Sequence, residues 1–387
     1  MMGRTAKRAW LAGGLGVLLS LGVAGVAGAE EKFKYQYEFG SIQIPRLDAD
    51  EPKLPEVSVQ RALDFLDQGA TAWSRGHKCV TCHTNGSYMA LRPSLTKPLG
   101  QPSGELRDFF GKVLREGTAR LGQERKLGDS QMIYLARGLA EWDAHVSGTL
   151  SDDTRQALKQ LFERQLPTGE WKAALCWPPL ESSAFQEATV AALAVGTAPG
   201  WLAGLTDEGL KAGVKRLQDY LRRVEPPHDY GRVVLLWASA KLDGLLEEGE
   251  KERIIEMIWS KQRADGGWAL RAFAEPEQWG EGNRAEKLRA EKEFADPPSD
   301  GHQTGLALIA LREVGVSAQD SRVQKGVRWL LSNQRESGRW WTRSLNTDNY
   351  HFIAFSGTLY PLVALHLCDA LPEELAGTAK AQAVCRT

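Results

Sequence analysis

The chain has 387 residues, 42% of them hydrophobic and 25% charged, a composition that excludes a disordered or collagen-like polymer. Lysine and arginine number 48 against 49 aspartates and glutamates, and a formal charge of −1 gives no electrostatic reason to bind nucleic acid. Length alone allows two or three domains, or one large helical ring.

Residues 1–29 read as a signal peptide. Arg4, Lys7 and Arg8 precede an apolar stretch from Trp10 to Val26, and Ala27-Gly28-Ala29 offers the small residues of a cleavage site. Export to the periplasm or beyond is the expectation, with an uncleaved anchor as the alternative. Cleavage would remove three positive charges and take the formal charge to −4. No later segment is apolar enough to span a membrane. Residues 30–57 carry Pro45, Pro52 and Pro55 without helical period, and read as an extended arm on the body or a linker.

From residue 58 to 371 the chain repeats itself. Gln165-x-x-x-Gly169-x-Trp171, Gln262-x-x-x-Gly266-x-Trp268 and Gln334-x-x-x-Gly338-x-Trp340 share one spacing. Each follows an amphipathic segment (153–164, 249–261, 321–333) and precedes a more apolar one (183–195, 302–314, 350–367). Residues 60–73 read as a further outer helix, and 129–143 and 229–242 as further inner ones. In each repeat the glycine would break the helix, the tryptophan cover the turn and the glutamine bond unpaired backbone groups at a helix end. An all-α architecture follows, an α/α toroid of five or six hairpins in two concentric rings. A charged insertion at 272–298 reads as a solvated helical excursion, and 372–387 as a tail.

These Gln-x-x-x-Gly-x-Trp units resemble the QW repeats of squalene-hopene cyclases and related terpenoid cyclases and prenyltransferases. Gln303-Thr304-Gly305-Leu306-Ala307-Leu308 is similar to their inner-helix Gln-Thr-Ala-x-Ala-Leu, and Tyr360-Pro361-Leu362-Val363-Ala364-Leu365 to their Phe-Pro-Leu-x-Ala-Leu. The resemblance implies the toroid fold over residues 58 to 368 and a central cavity for an apolar, isoprenoid-like ligand. It does not carry over the cyclase reaction, because the Asp-x-Asp-Asp proton donor is absent. The zinc triad of protein prenyltransferases is not recognisable either.

Cys79-Val80-Thr81-Cys82-His83 has the spacing of a covalent haem c attachment, with two thiols for the vinyl groups and His83 as proximal iron ligand. A redox Cys-x-x-Cys pair and a zinc site with His77 are the alternatives. Cys82, Gly86 and Tyr88 fall at the offsets of the Gln, Gly and Trp of the repeats, which sets the motif in the first toroid turn. Candidates for a sixth iron ligand are Met89, His228, His302 and His351, with helix-end hydrogen bonding as the plainer role of the histidines. His145 and His366 sit at helix C-termini, as stabilising cations would.

Asp129, Glu187, Asp229, Asp300 and Asp348 fall in the first turns of inner helices, either as caps or as the polar rim of a cavity, with Asp300 and His302 as the leading catalytic candidates. A haem-based oxidation or electron transfer, with a redox partner protein, is the first functional expectation. A non-enzymatic haem-containing binding module and a haem-free cyclase-like or lyase enzyme are the alternatives. Of the other cysteines, Cys368 and Cys385 could pair, and Cys176 reads as a buried thiol.

Overall fold

The computed structural model describes residues 34–120, 123–125, 127–175, 178–347 and 351–372. The expected signal peptide, most of the tail, Cys176, Asp348 and Cys385 lie outside them. Among the described residues, twelve α-helices of seven residues or more pair into six hairpins. The odd-numbered helices form one layer: α1 (Val59–His77), α3 (Gly104–Glu116), α5 (Asp152–Phe162), α7 (Glu208–Arg223), α9 (Glu248–Ser260) and α11 (Ser321–Leu331). The even-numbered ones form the other: α2 (Asn85–Leu91), α4 (Asp129–Trp142), α6 (Ala184–Thr197), α8 (Asp229–Ser239), α10 (Gly301–Glu313) and α12 (Ile353–Leu367).

The even helices close a ring. α2 packs on α4, α4 on α6, α6 on α8, α8 on α10, α10 on α12, and α12 returns to α2. The odd helices lie outside, each against one or two inner ones. Sequence sets the division. In α7 only one stripe is buried (Gly213, Val214, Leu217, Tyr220, Leu221), as a helix with one wet face requires. In α10 every residue from Gly301 to Leu311 is buried, and in α12 every residue from Ile353 to Leu365. Two concentric helical layers are therefore the observed architecture, with the core between them. No helix of the described residues is long and apolar enough to cross a membrane.

Each repeat is a cross-tie between neighbouring hairpins. The Gln165 amide donates to the carbonyls of Gly169 in its own turn and Gly213 in α7, at 2.9 and 3.0 Å. Gln262 does the same to Gly266 and to Arg322 in α11, and Gln334 to Gly338 and to Ser58, the N-cap of α1. The indole N–H groups of Trp171, Trp268 and Trp340 each donate to the carbonyl ten residues earlier, at 2.8 to 2.9 Å. Gly169, Gly266 and Gly338 have φ between +81° and +109°, and a Cβ there would strike the next outer helix, 2.3 Å from the Arg216 carbonyl in the first case.

The arm is more structured than its prolines suggest. Strands β1 (Tyr35–Phe39) and β2 (Ile42–Pro45) form an antiparallel hairpin against α1. Beyond it, Leu54 N donates to the Gln334 carbonyl and Glu336 N to the Pro52 carbonyl. The arm thus bridges the first and last hairpins. A second short hairpin, Thr118–Arg120 with Gln123–Arg125, lies between α3 and α4.

The insertion also departs from expectation. It does carry short helical turns, but Trp279 and Leu288 are fully buried in it. Gln278 donates to the Pro227 carbonyl before α8, and Asn283 to the Leu175 carbonyl before α6. Arg284 bonds Asn346, and Arg271, just ahead of the insertion, donates to the carbonyls of Arg343 and Ser344, all before α12. It is a cover laid across the loops that lead into three inner helices.

Candidate functional site

The Cys79–His83 segment does lie in the first turn, between outer α1 and inner α2. Its likeness to the repeats ends there. Gly86 and Tyr88 are residues of α2, and the Tyr88 hydroxyl bonds Asp67 of α1 instead of covering a turn. Gly86 is needed for close approach, since a Cβ would meet the Thr81 carbonyl at 2.3 Å.

All three motif side chains are buried. His83 is held between aromatic rings, stacked on Phe352 at 4.6 Å and against the edge of Trp73 at 4.8 Å. Burial drives its pKa down to about 3, so the imidazole is neutral. Nδ1 is hydrogen-bonded to the Thr84 hydroxyl at 2.9 Å, which itself meets the Tyr37 hydroxyl. Cys82 turns toward the ring interior. Its thiol and its backbone N–H donate to the Glu181 carboxyl, and Tyr134 and Tyr360 are within electrostatic reach.

From Cys82 a buried polar network runs around the N-terminal end of the inner ring. Ser130 of α4 donates to Glu187 Oε1 of α6, and the Gln186 amide and the Tyr134 hydroxyl lie 3.3 Å apart. The Tyr230 hydroxyl of α8 is 3.2 Å from His302 Nε2 of α10, and His302 Nδ1 is 2.8 Å from the Ser356 hydroxyl of α12. Five buried polar atoms near the N-terminal ends of α6, α8 and α10 have no partner: Glu187 Oε2, Gln186 Oε1, both amide atoms of Gln303, and His228 Nε2. Buried polar atoms are nearly always paired, so such atoms are candidates to hold water or a ligand.

Glu187 is the most perturbed carboxyl described there. Burial raises its pKa to about 8, the Ser130 hydroxyl opposes that, and nearby Glu181 adds to it. Burial likewise raises Glu181, against the two donors of Cys82. Residues 130, 134, 137 and 141 recur on one stripe of α4, and Arg137 lies over the Trp237 ring of α8 at 4.6 Å. As α4 and α8 are not ring neighbours, this contact crosses the interior. Trp237 in turn meets Tyr360 of α12 at 6.3 Å.

The other expected site residues have these places. Asp300 caps α10 through Gln303 N and also accepts from Leu270 N and the Thr342 hydroxyl, so its oxygens hold backbone; burial raises it to about 6. Asp129 meets Lys172 N and Arg164, and Asp229 pairs with Arg232 and Lys261. His228 is the N-cap of α8. His351 lies beside Trp341, with its carbonyl accepting from Gln36. Met89 packs beneath Gly138 of α4. His145 pairs with Glu141 at 3.4 Å, His366 is half-buried near the end of α12, and Cys368 is a buried free thiol.

Glu181, Gln186, Ser130, Tyr134, Tyr230 and Trp279 were not singled out by sequence. Their signal is polar or aromatic residues recurring at helical spacing inside otherwise apolar segments, and for Trp279 a lone large aromatic in a charged run.

Residues 228–366 match the squalene-hopene cyclase C-terminal domain. That span runs from the cap of α8 to the end of α12. No curated protein matches the chain. Among solved structures, a wild-type glycosidase is similar over 81% of this chain and 85% of its own, at 12% identity and a TM-score of 0.42. A glycosidase variant in complex with glucose is similar over 75% and 87%, at 12% identity and a TM-score of 0.40. The ent-copalyl diphosphate synthase from Streptomyces platensis is similar over 72% of this chain and 45% of its own, at 15% identity and a TM-score of 0.25.

Proposed function

We propose that the chain is a toroid enzyme that binds an oxygen-bearing small molecule at the N-terminal end of its inner ring and cleaves a carbon–oxygen bond in it by acid catalysis. The observation that carries this is Glu187, fully buried, with one oxygen on Ser130 and the other unpartnered among unpaired polar atoms. A carboxyl held protonated near neutral pH is what a general acid requires. Glu187 gives its proton to the departing oxygen, which takes the bonding electron pair. Water then adds to the carbon and passes its proton to Glu181, whose pKa burial raises against the two Cys82 donors, so that its carboxylate is a readier proton acceptor. The polar lining selects an oxygenated ligand over the apolar, isoprenoid one expected from the resemblance. The test is product release from a panel of aryl glycosides and polyprenes, followed by mass spectrometry. Turnover of an oxygenated substrate that falls by about 100-fold or more in Glu187→Gln is expected. No turnover across the panel, or full activity in that variant, overturns the reading.

A second reading rests on the Cys79-x-x-Cys82-His83 spacing. The donor set suits haem c: two thiols, and a neutral imidazole whose Nδ1 is engaged by Thr84, as the second nitrogen of a metal-binding histidine usually is. Cys79 and Cys82 would form the thioethers and His83 would hold the iron, and the group would supply electron transfer. Attachment requires export, as residues 1–29 suggest. Expression with a c-type maturation system and a pyridine haemochrome spectrum decides it; absence of covalent haem sinks it.

A further inference from the structure

We propose that the 272–298 insertion completes the ligand site, with the Trp279 indole N–H and the His228 Nε2–H together binding a carboxylate of the ligand. This deepens the reading of the inner ring's N-terminal end as a ligand site and rests on it.

The insertion has no place in the hairpin repeat, yet its Trp279 is fully buried against the ring. The Trp279 ring lies 4.7 Å from His228 and 5.6 Å from Tyr230, and Tyr230 stacks on His302 of the polar network. The tautomer of His228 is fixed by its capping role. Nδ1 accepts the Gly231 N–H at 3.0 Å, so the proton sits on Nε2. Burial lowers its pKa to about 4 and keeps the ring neutral.

Trp279 Nε1 and His228 Nε2 are thus both donors, both buried, and both without a partner. Two adjacent donors with nothing to donate to suit a group that only accepts. A hydroxyl would bring a proton needing an acceptor of its own, whereas a carboxylate offers two oxygens and no proton. His228 borders a cavity of about 760 Å³ between α8 and the insertion. Its five cationic side chains are each ion-paired, Arg232 and Lys261 with Asp229, Arg263 with Asp296, Arg271 with Glu291 and Arg289 with Glu277, so the preference for a carboxylate comes from the two donors.

The test is an acetate titration of the full chain labelled with ¹⁵N at the tryptophan indoles, at constant ionic strength, with acetamide as the neutral control. Trp279→Phe assigns the resonance. Acetate is expected to move the Trp279 N–H signal saturably while acetamide does not. In His228→Asn, whose side-chain oxygen still caps α8, acetate affinity is expected to fall at least about tenfold, the worth of one hydrogen bond to a charged group. Retention of the remaining indole signals shows that the variant is folded. If it is not, loss of acetate-dependent thermal stabilisation in Trp279→Phe is the readout that decides. An unmoved signal, an equal response to acetamide, or unchanged affinity in a folded His228→Asn overturns the proposal. Turnover is not measured, so loss of activity in Glu187→Gln and loss of acetate binding are separate outcomes.

Discussion

Glu187 shows how far a residue's role depends on what surrounds it. In sequence it sits in the first turn of an inner helix, where a carboxylate complementing the helix dipole is the ordinary case. Folded, it is buried beside Ser130 and Glu181, and its pKa rises to about 8. Because this lies above its unfolded value, the native state binds the extra proton between the two. Stability from this group is present in acid and is lost as pH rises toward and through 8. Glu187→Gln, which cannot ionise, should therefore gain on the wild type as pH goes from 5 to 9 in urea unfolding; parallel curves would show that Glu187 is ionised throughout. Gly305 is a simpler case. A Cβ there would lie 2.6 Å from the Tyr360 carbonyl carbon, so Gly305→Ala should cost about 1–3 kcal/mol by forcing α10 from α12. An unchanged denaturation midpoint would show that the pair can separate freely.

At the scale of elements, periodicity was a good guide where packing is periodic. The outer stripes and fully apolar inner helices were legible, and the observed ends fall within a few residues of those expected. Missed were α2, α3 and α7, the first being only seven residues long and the other two lying outside the Gln-Gly-Trp copies. The reading of Cys82, Gly86 and Tyr88 as a degenerate copy failed because offsets alone do not make a turn. The true copies need a positive φ at the glycine, and Gly86 lies inside a helix without one. The polar network was hidden because its members belong to five inner helices and two loops that only the ring brings together. The cross-tie itself is testable. Gln262→Leu removes both bonds of the tie and should lower stability by about 1–3 kcal/mol, read as a shift in the urea midpoint.

The described hairpins form a closed circuit in which each inner helix packs on the next, three glutamine ties reinforce it, and the arm fastens the last hairpin to the first. Gln334 is central to that closure, bonding the Ser58 N–H and carbonyl from the far end of the chain. Truncating residues 30–57 should loosen α1 and α11 together, seen as faster amide hydrogen exchange in both, while α5 and α7 stay protected. Loss confined to α1 would mean that the circuit closes without the arm.

The cross-axis contact of Arg137 with Trp237, and of Trp237 with Tyr360, bears on traffic through the molecule. These side chains meet across the ring interior and join α4, α8 and α12, so a straight passage along its axis is blocked at their level.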